Sequence, residues 1–220
     1  MDSSIIQTVA VYAIPVLFAI TLHEVGHGWA ARYFGDQTAA MQGRLSLNPI
    51  KHLDPIGTIA MPLILYFMTN GAFVFGYAKP VPVMIGNLRK PKQHMLWVAF
   101  AGPGANLAMA VLWALLLFVL AMLGINEPFF ARMAQAGIAV NFVMAALNLF
   151  PLPPLDGGRM LASVLPVAQA NWLLRIEPFG FFVVLALAAT HLLNYWMNPI
   201  IMVFRIALEA LMTPFNFLLG

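Results

Sequence analysis

His23, Glu24 and His27 are the residues of this chain whose types and spacing can do chemistry. They lie in T-L-H-E-V-G-H-G-W-A, Thr21 to Ala30, within a strongly apolar run. On an α-helix, residues four apart share a face, so both imidazoles point the same way. Glu24 sits about 100° round from His23. This H-E-x-x-H spacing suits a zinc ion gripped by two imidazoles, with a carboxylate beside it to take a proton from water. The plainer alternative is two packed histidines with a glutamate partner. Three ionisable groups in an apolar helix are costly, however, unless they serve a site.

The elements that must position these residues belong to a membrane. Of 220 residues, 62% are hydrophobic and 9% charged, far below the roughly 25% charged of a soluble domain. The solvent for such a chain is a bilayer, crossed by spans of about 20 residues. The net charge is +3 and the basic residues are scattered. With no stripe to follow a phosphate backbone, nucleic-acid binding is excluded as a function class. There is no cysteine, so any metal must be held by histidine and carboxylate. The N-terminus lacks the pattern of a cleaved signal peptide, and residues 5–31 read as a retained span, with Pro15 placed to kink it.

The chain therefore reads as an all-α polytopic membrane protein forming one membrane-embedded domain over residues 1–220. Further spans are expected at 94–123, 130–149 and 179–196, the last ending in an aromatic belt at Tyr195 and Trp196. Residues 199–219 form an additional span or an interfacial helix. Met41 to Leu47 alternates weakly, as a short membrane-associated β-strand or hairpin would. Such an exposed edge would accept an extended peptide by strand addition.

Residues 56–76 decide the topology, being apolar but interrupted by Gly57, Pro62, Asn70 and Gly71. If they cross, basic residues divide almost evenly between the two faces. If they turn back as a re-entrant hairpin, Arg32, Arg44, Lys51, Lys79, Arg89, Lys90, Lys92 and Arg159 share the side on which the histidine helix ends. The positive-inside rule favours the hairpin and makes that side cytoplasmic.

A catalytic zinc wants a third protein ligand and an open position. Asp2 and Glu127 fall on the wrong side, while Asp36, Asp54 and Glu177 read as solvated loop charges. Asp156 lies in N-L-F-P-L-P-P-L-D-G-G-R, Asn148 to Arg159, where three prolines and two glycines forbid a continuous helix. With the hairpin, Asp156 arrives at the depth of His23 and His27; with strict crossings it ends at the opposite face. Asn148 either donates to a substrate carbonyl or bonds its own helix terminus. His52, His94 and His191 read as packing or interfacial residues. In A-G-P-G-A-N, Ala101 to Asn106, small residues allow close helix approach and Asn106 can bond across an interface.

H-E-V-G-H at His23 to His27, taken with N-L-F-P-L-P-P-L-D-G-G, resembles the site-2 protease family of intramembrane zinc metalloproteases. The likeness includes A-G-P-G-A-N and covers the membrane core. It implies zinc bound by His23, His27 and Asp156, Glu24 as catalytic base, and Asn148 holding or polarising the substrate. It also implies a compact bacterial or archaeal form without a PDZ or CBS domain and a transmembrane protein as substrate, in a cell membrane where the charge bias sets the site toward the cytoplasm. Two other classes stay open: a membrane zinc transporter, which would want ligands strung along a path, and a non-proteolytic scaffold with a zinc-stabilised core.

Overall fold

A computed structural model describes residues 3–68 and 76–216 of the chain. Three long helices make its centre: α1 (Ser3–Tyr33), α4 (Pro91–Met122) and α5 (Pro128–Asn148), each packed on the other two. At 1.5 Å per residue, the shortest of them, α5, is about 31 Å long, one hydrocarbon thickness. With the last helix, α9 (Leu193–Asn216), the described residues contain four helices long and apolar enough to cross a membrane. This is a multi-pass membrane protein.

Small side chains set how closely the helices lie. Ala19, Ala31, Ala110, Ala134, Ala145 and Ala146 are all fully buried, which lets neighbouring backbones approach. A Cβ on Gly26 would sit 2.8 Å from the Ala101 carbonyl oxygen of α4, and one on Gly137 would sit 2.3 Å from the Trp113 ring. Large apolar residues such as Leu112, Phe182 and Val203 face outward, as expected where lipid is the solvent.

Between α1 and α4 the chain makes the short helices α2 (Thr38–Met41) and α3 (Met61–Met68). A π-helical turn, Pro55–Ala60, leads into α3 and is capped by Asp54, whose Oδ1 accepts from the N–H groups of Ile56 and Gly57. The segment comes back to where it began. The Tyr77 N–H donates to the Gly57 carbonyl (2.9 Å), and the Thr58 hydroxyl donates to the Tyr77 carbonyl (2.8 Å). Its two ends lie side by side, as a re-entrant hairpin requires; expected positions 69–75 fall outside the described residues.

Two expectations need correction. Among the described residues there is no β-strand, and Met41 to Leu47 is the end of α2, a turn and an extended stretch. Side chains replace ladder bonds here: Arg44 donates to the Lys79 and Pro80 carbonyls, and His52 Nε2 donates to the Ser46 carbonyl. The span expected at 179–196 is also divided. After α6 (Asp156–Val164), α7 (Val167–Leu174) and α8 (Glu177–Ala189) form a pair bent by 65°. A turn at Thr190 to Leu192 then ends α8, with His191 at φ 59°. Tyr195 and Trp196 therefore belong to α9, and the Trp196 indole donates to the Ala146 carbonyl of α5. No proline or glycine marks this turn, and the Thr190 hydroxyl donates back to the Ala186 carbonyl.

Candidate metal centre

His23 and His27 lie on one face of α1, and α6 brings Asp156 to them. The loop from Leu149 to Leu155 doubles back beneath the end of α5. A Cβ on Gly157 would meet the Leu149 carbonyl oxygen at 2.3 Å, and one on Gly158 would meet Pro153 N at 2.1 Å. Only glycine fits there, and the packing starts α6 at Asp156. The carboxylate so placed faces His23 Nε2 at 3.2 Å and His27 Nε2 at 3.3 Å, and the two Nε2 atoms are 3.1 Å apart.

These separations fit a metal. Tetrahedral ligands with bonds of about 2.0–2.1 Å lie about 3.3 Å from one another. Asp156 Oδ2 is buried with no partner at hydrogen-bond geometry, and its near polar neighbours are the two Nε2 atoms, so the three atoms converge on a shared point. Each histidine's other nitrogen is occupied: His23 Nδ1 lies 2.7 Å from Asn106 Oδ1, and His27 Nδ1 lies 2.7 Å from the Val98 carbonyl. That leaves both Nε2 lone pairs for a cation. Two neutral nitrogens and one carboxylate oxygen are a donor set suited to zinc chemistry.

Glu24 stands on the adjoining face of α1. Its Oε2 accepts from the Val81 N–H at 2.7 Å. Pro80 and Pro82 flank Val81 and carry no N–H, so Val81 supplies the one main-chain donor of that triplet. All four groups open on a cleft of about 900 Å³. Its walls are largely apolar, with Tyr12, Val16 and Ile20 from α1 and Val143, Met144 and Leu147 from α5.

Asn148 lines the same cleft. One N–H of its amide is used within its own helix, on the Met144 carbonyl at 3.0 Å; the amide has a second. His52, His94 and His191 lie away from the cluster. His52 is fully buried against the Ser46 carbonyl, His94 stacks on Phe34 at 4.3 Å between ring centroids, and His191 forms the turn before α9.

Sequence reasoning missed several contributors. Val81 acts through its backbone, so its side chain gave no signal. Arg159 also lines the cleft, paired with Glu177 at 2.9 Å in an ion pair that stays partly open to solvent. Asp54 is a cap. Asp36 is fully buried and accepts from the Thr38 N–H and hydroxyl, the Met84 N–H and the Asn87 amide. Burial pushes the Asp36 carboxyl up, but those hydrogen bonds outweigh it and hold it below its ordinary value.

A polytopic membrane fold around a buried His-His-Asp cluster with an adjacent glutamate defines a membrane protein with a candidate metal centre. Residues 11–137 match the profile of Peptidase family M50. The candidate zinc metalloprotease YwhC of Bacillus subtilis strain 168 is 36% identical over 197 residues, covering 86% of this chain and 84% of that one. The candidate zinc metalloprotease Rip2 of Mycolicibacterium smegmatis is 30% identical over 187 residues, 82% of this chain and 67% of its own. Rip2 of Mycobacterium tuberculosis H37Rv is 29% identical over 184 residues, with the same coverage. No solved structure matches the chain. The chain belongs to Peptidase family M50, the site-2 protease type.

Proposed function

We propose that this chain is a zinc-dependent intramembrane endopeptidase that hydrolyses peptide bonds in or near transmembrane segments. The observation that carries the reading is the convergence of His23, His27 and Asp156 within hydrogen-bonding distance of one another, beside Glu24 in an apolar cleft. In this reading residues 1–220 act as one metalloprotease domain, and the three side chains hold one zinc ion. When bound, zinc supplies Lewis acidity, polarising oxygen and lowering the pKa of water.

Glu24 does the proton work. Its Oε2 is steadied by the Val81 N–H, and Oε1 takes a proton from water as the water oxygen adds to the scissile carbonyl carbon. The C–N bond then breaks, and Glu24 returns the proton to the departing amine. The free amide N–H of Asn148 faces the carbonyl oxygen as charge develops there. A helical substrate hides its peptide bonds, so it must unwind before attack. Gly, Asn or Pro near the cleavage point lowers that cost. The clustering of basic residues on the side where α1 ends supports a cytoplasmic-facing site.

A transporter would want ligands spread along a path, and these ligands meet at one point. Purified protein incubated with single-span substrates is expected to yield peptide products. The Glu24→Gln variant is expected to keep its zinc and lose about 10²- to 10⁴-fold in rate. Undiminished cleavage by that variant would overturn the role of Glu24. Zinc flux into liposomes with no cleavage would favour the transporter.

A further inference from the structure

We propose that Asn106 and Asn141 are positioning residues that set the tautomer of His23 and, through it, the strength of metal binding. The inference deepens the metal-site reading above and rests on it. A neutral imidazole carries one proton and binds a metal through its bare nitrogen. For His23 the nitrogen facing the cluster is Nε2, so the proton belongs on Nδ1, 2.7 Å from the Asn106 side chain.

A carboxamide can help or hinder there. Its oxygen accepts from Nδ1–H and supports metal binding; flipped, its nitrogen would donate to Nδ1 and leave the proton on Nε2. Two carbonyls on neighbouring helices forbid the flip. The Asn106 amide nitrogen donates to the Ala19 carbonyl at 3.1 Å and to Asn141 Oδ1 at 2.9 Å. Asn141 is itself oriented, since its nitrogen donates to the Gly137 carbonyl at 2.8 Å. A backbone carbonyl only accepts, so each amide has one allowed orientation. Asn106 and Asn141 are both fully buried, so no bulk water competes for these bonds. The donations thus run in one direction, from His23 through Asn106 and Asn141 to the Gly137 carbonyl of α5.

The register of α4 shows the same arrangement from the other side. Val98, Gly102 and Asn106 are spaced four apart along one face, and they meet His27 and His23 in turn. The Val98 carbonyl orients His27 directly, and Asn106 orients His23. Gly102 leaves room for the rings between them: a Cβ there would lie 2.3 Å from His27 Nε2 and 2.7 Å from His23 Cε1. His27 needs one partner, whereas His23 is set through two buried amides.

The test uses the full chain in detergent, labelled with ¹⁵N-histidine: metal-free for the ring spectrum, since bound zinc would itself force the proton to Nδ1, and with zinc for the affinity. Ring-nitrogen NMR reads which atom carries the proton, and chelator competition gives zinc affinity. Wild type is expected to show Nδ1–H on both His23 and His27. Asn106→Leu should weaken zinc binding about 10- to 100-fold and shift the His23 ring proton, leaving that of His27 in place. Asn106→Asp keeps an acceptor at Nδ1 and should recover most of the affinity. Asn141→Leu should give a smaller loss in the same direction.

Protonation of wild-type His23 on Nε2 overturns the proposal without any variant. So does wild-type zinc affinity with an unmoved His23 signal in both leucine variants, or an Asn106→Asp protein no tighter than Asn106→Leu. If Asn106→Leu fails to fold, the wild-type spectrum and Asn106→Asp decide. A wild-type chain that takes up no zinc breaks the metal-site reading itself, a result separable from the other three.

Discussion

The two sides of the cleft are built differently. On the ligand side, α1, α4, α5 and α6 are packed together, and every ring nitrogen of His23 and His27 has an assigned neighbour. On the opposite side lie α3 and the extended stretch Tyr77 to Met84. Helix α3 makes its main contacts with its own leading turn. The extended stretch is held by separate bonds: Tyr77 to Gly57, Lys79 to His52, Val81 to Glu24 and Met84 to Asp36. One side is fixed throughout by close packing; the other is held by individual hydrogen bonds and by the packing of Val81 and Val83. A metal site needs the first kind of wall, since ligand geometry tolerates little error. A peptide substrate needs the second, since something must give way to admit it. Glu24 stands at the seam, on a packed helix but bonded to the looser wall.

Substitutions on each side should separate these roles. Asp156→Ala removes a ligand from the packed side and should have the largest effect: zinc retained through dialysis falls from stoichiometric to almost none, read by metal analysis. Gly102→Ala would put a methyl against both rings, and overpacking of about 1–3 kcal/mol should weaken zinc binding about tenfold to a hundredfold. Gly86→Ala is its control, because nothing lies within 4 Å of a Cβ there. An unchanged zinc affinity in Gly102→Ala would mean that the packed wall yields.

On the looser side, Gly57→Ala would drive a Cβ into the Tyr77 ring at 2.3 Å. Cleavage efficiency should fall, roughly tenfold or less, while zinc affinity stays at the wild-type value. Loss of zinc in that variant would erase the distinction between the walls.

Asp36→Asn is the smallest of the set. It disturbs the anchor of Met84 and should cost about 1–3 kcal/mol of stability. The Asp36 carboxyl is held below its ordinary value of 3.8, so its contribution is complete above that value and disappears as pH falls through the lower folded one. Acid unfolding of wild type should therefore show a decline below about pH 4 that is blunted in Asp36→Asn. Identical acid limbs would contradict this.

The packed side was the more legible in sequence. A four-residue histidine spacing marks a helix face, and a chain with eight acidic residues leaves few choices for a third ligand. The expectation that 56–76 turns back came from charge bias and from the need to bring Asp156 to the histidines, and what the described residues show of it is the pairing of Gly57 and Thr58 with Tyr77. What escaped reading acts through backbone or through pairing. Val81 contributes an N–H, which no side chain announces. Asp36 and Asp54 looked solvated because their partners lie in other segments or on main-chain amides. The turn at Thr190 to Leu192 sits in an apolar stretch without proline or glycine. Asn141 could have been noticed, since an amide within an apolar span invites a search for its partner, but its link to His23 runs through Asn106 of α4 and appears only in three dimensions.

The account stands most directly on one measurement, the anomalous scattering at the zinc edge from crystals of the wild-type chain. It predicts a single strong peak bound by His23 Nε2, His27 Nε2 and the Asp156 carboxylate, with Glu24 beside it and not among the ligands. A peak held by other residues, or coordination that leaves Asp156 unbound, would contradict it.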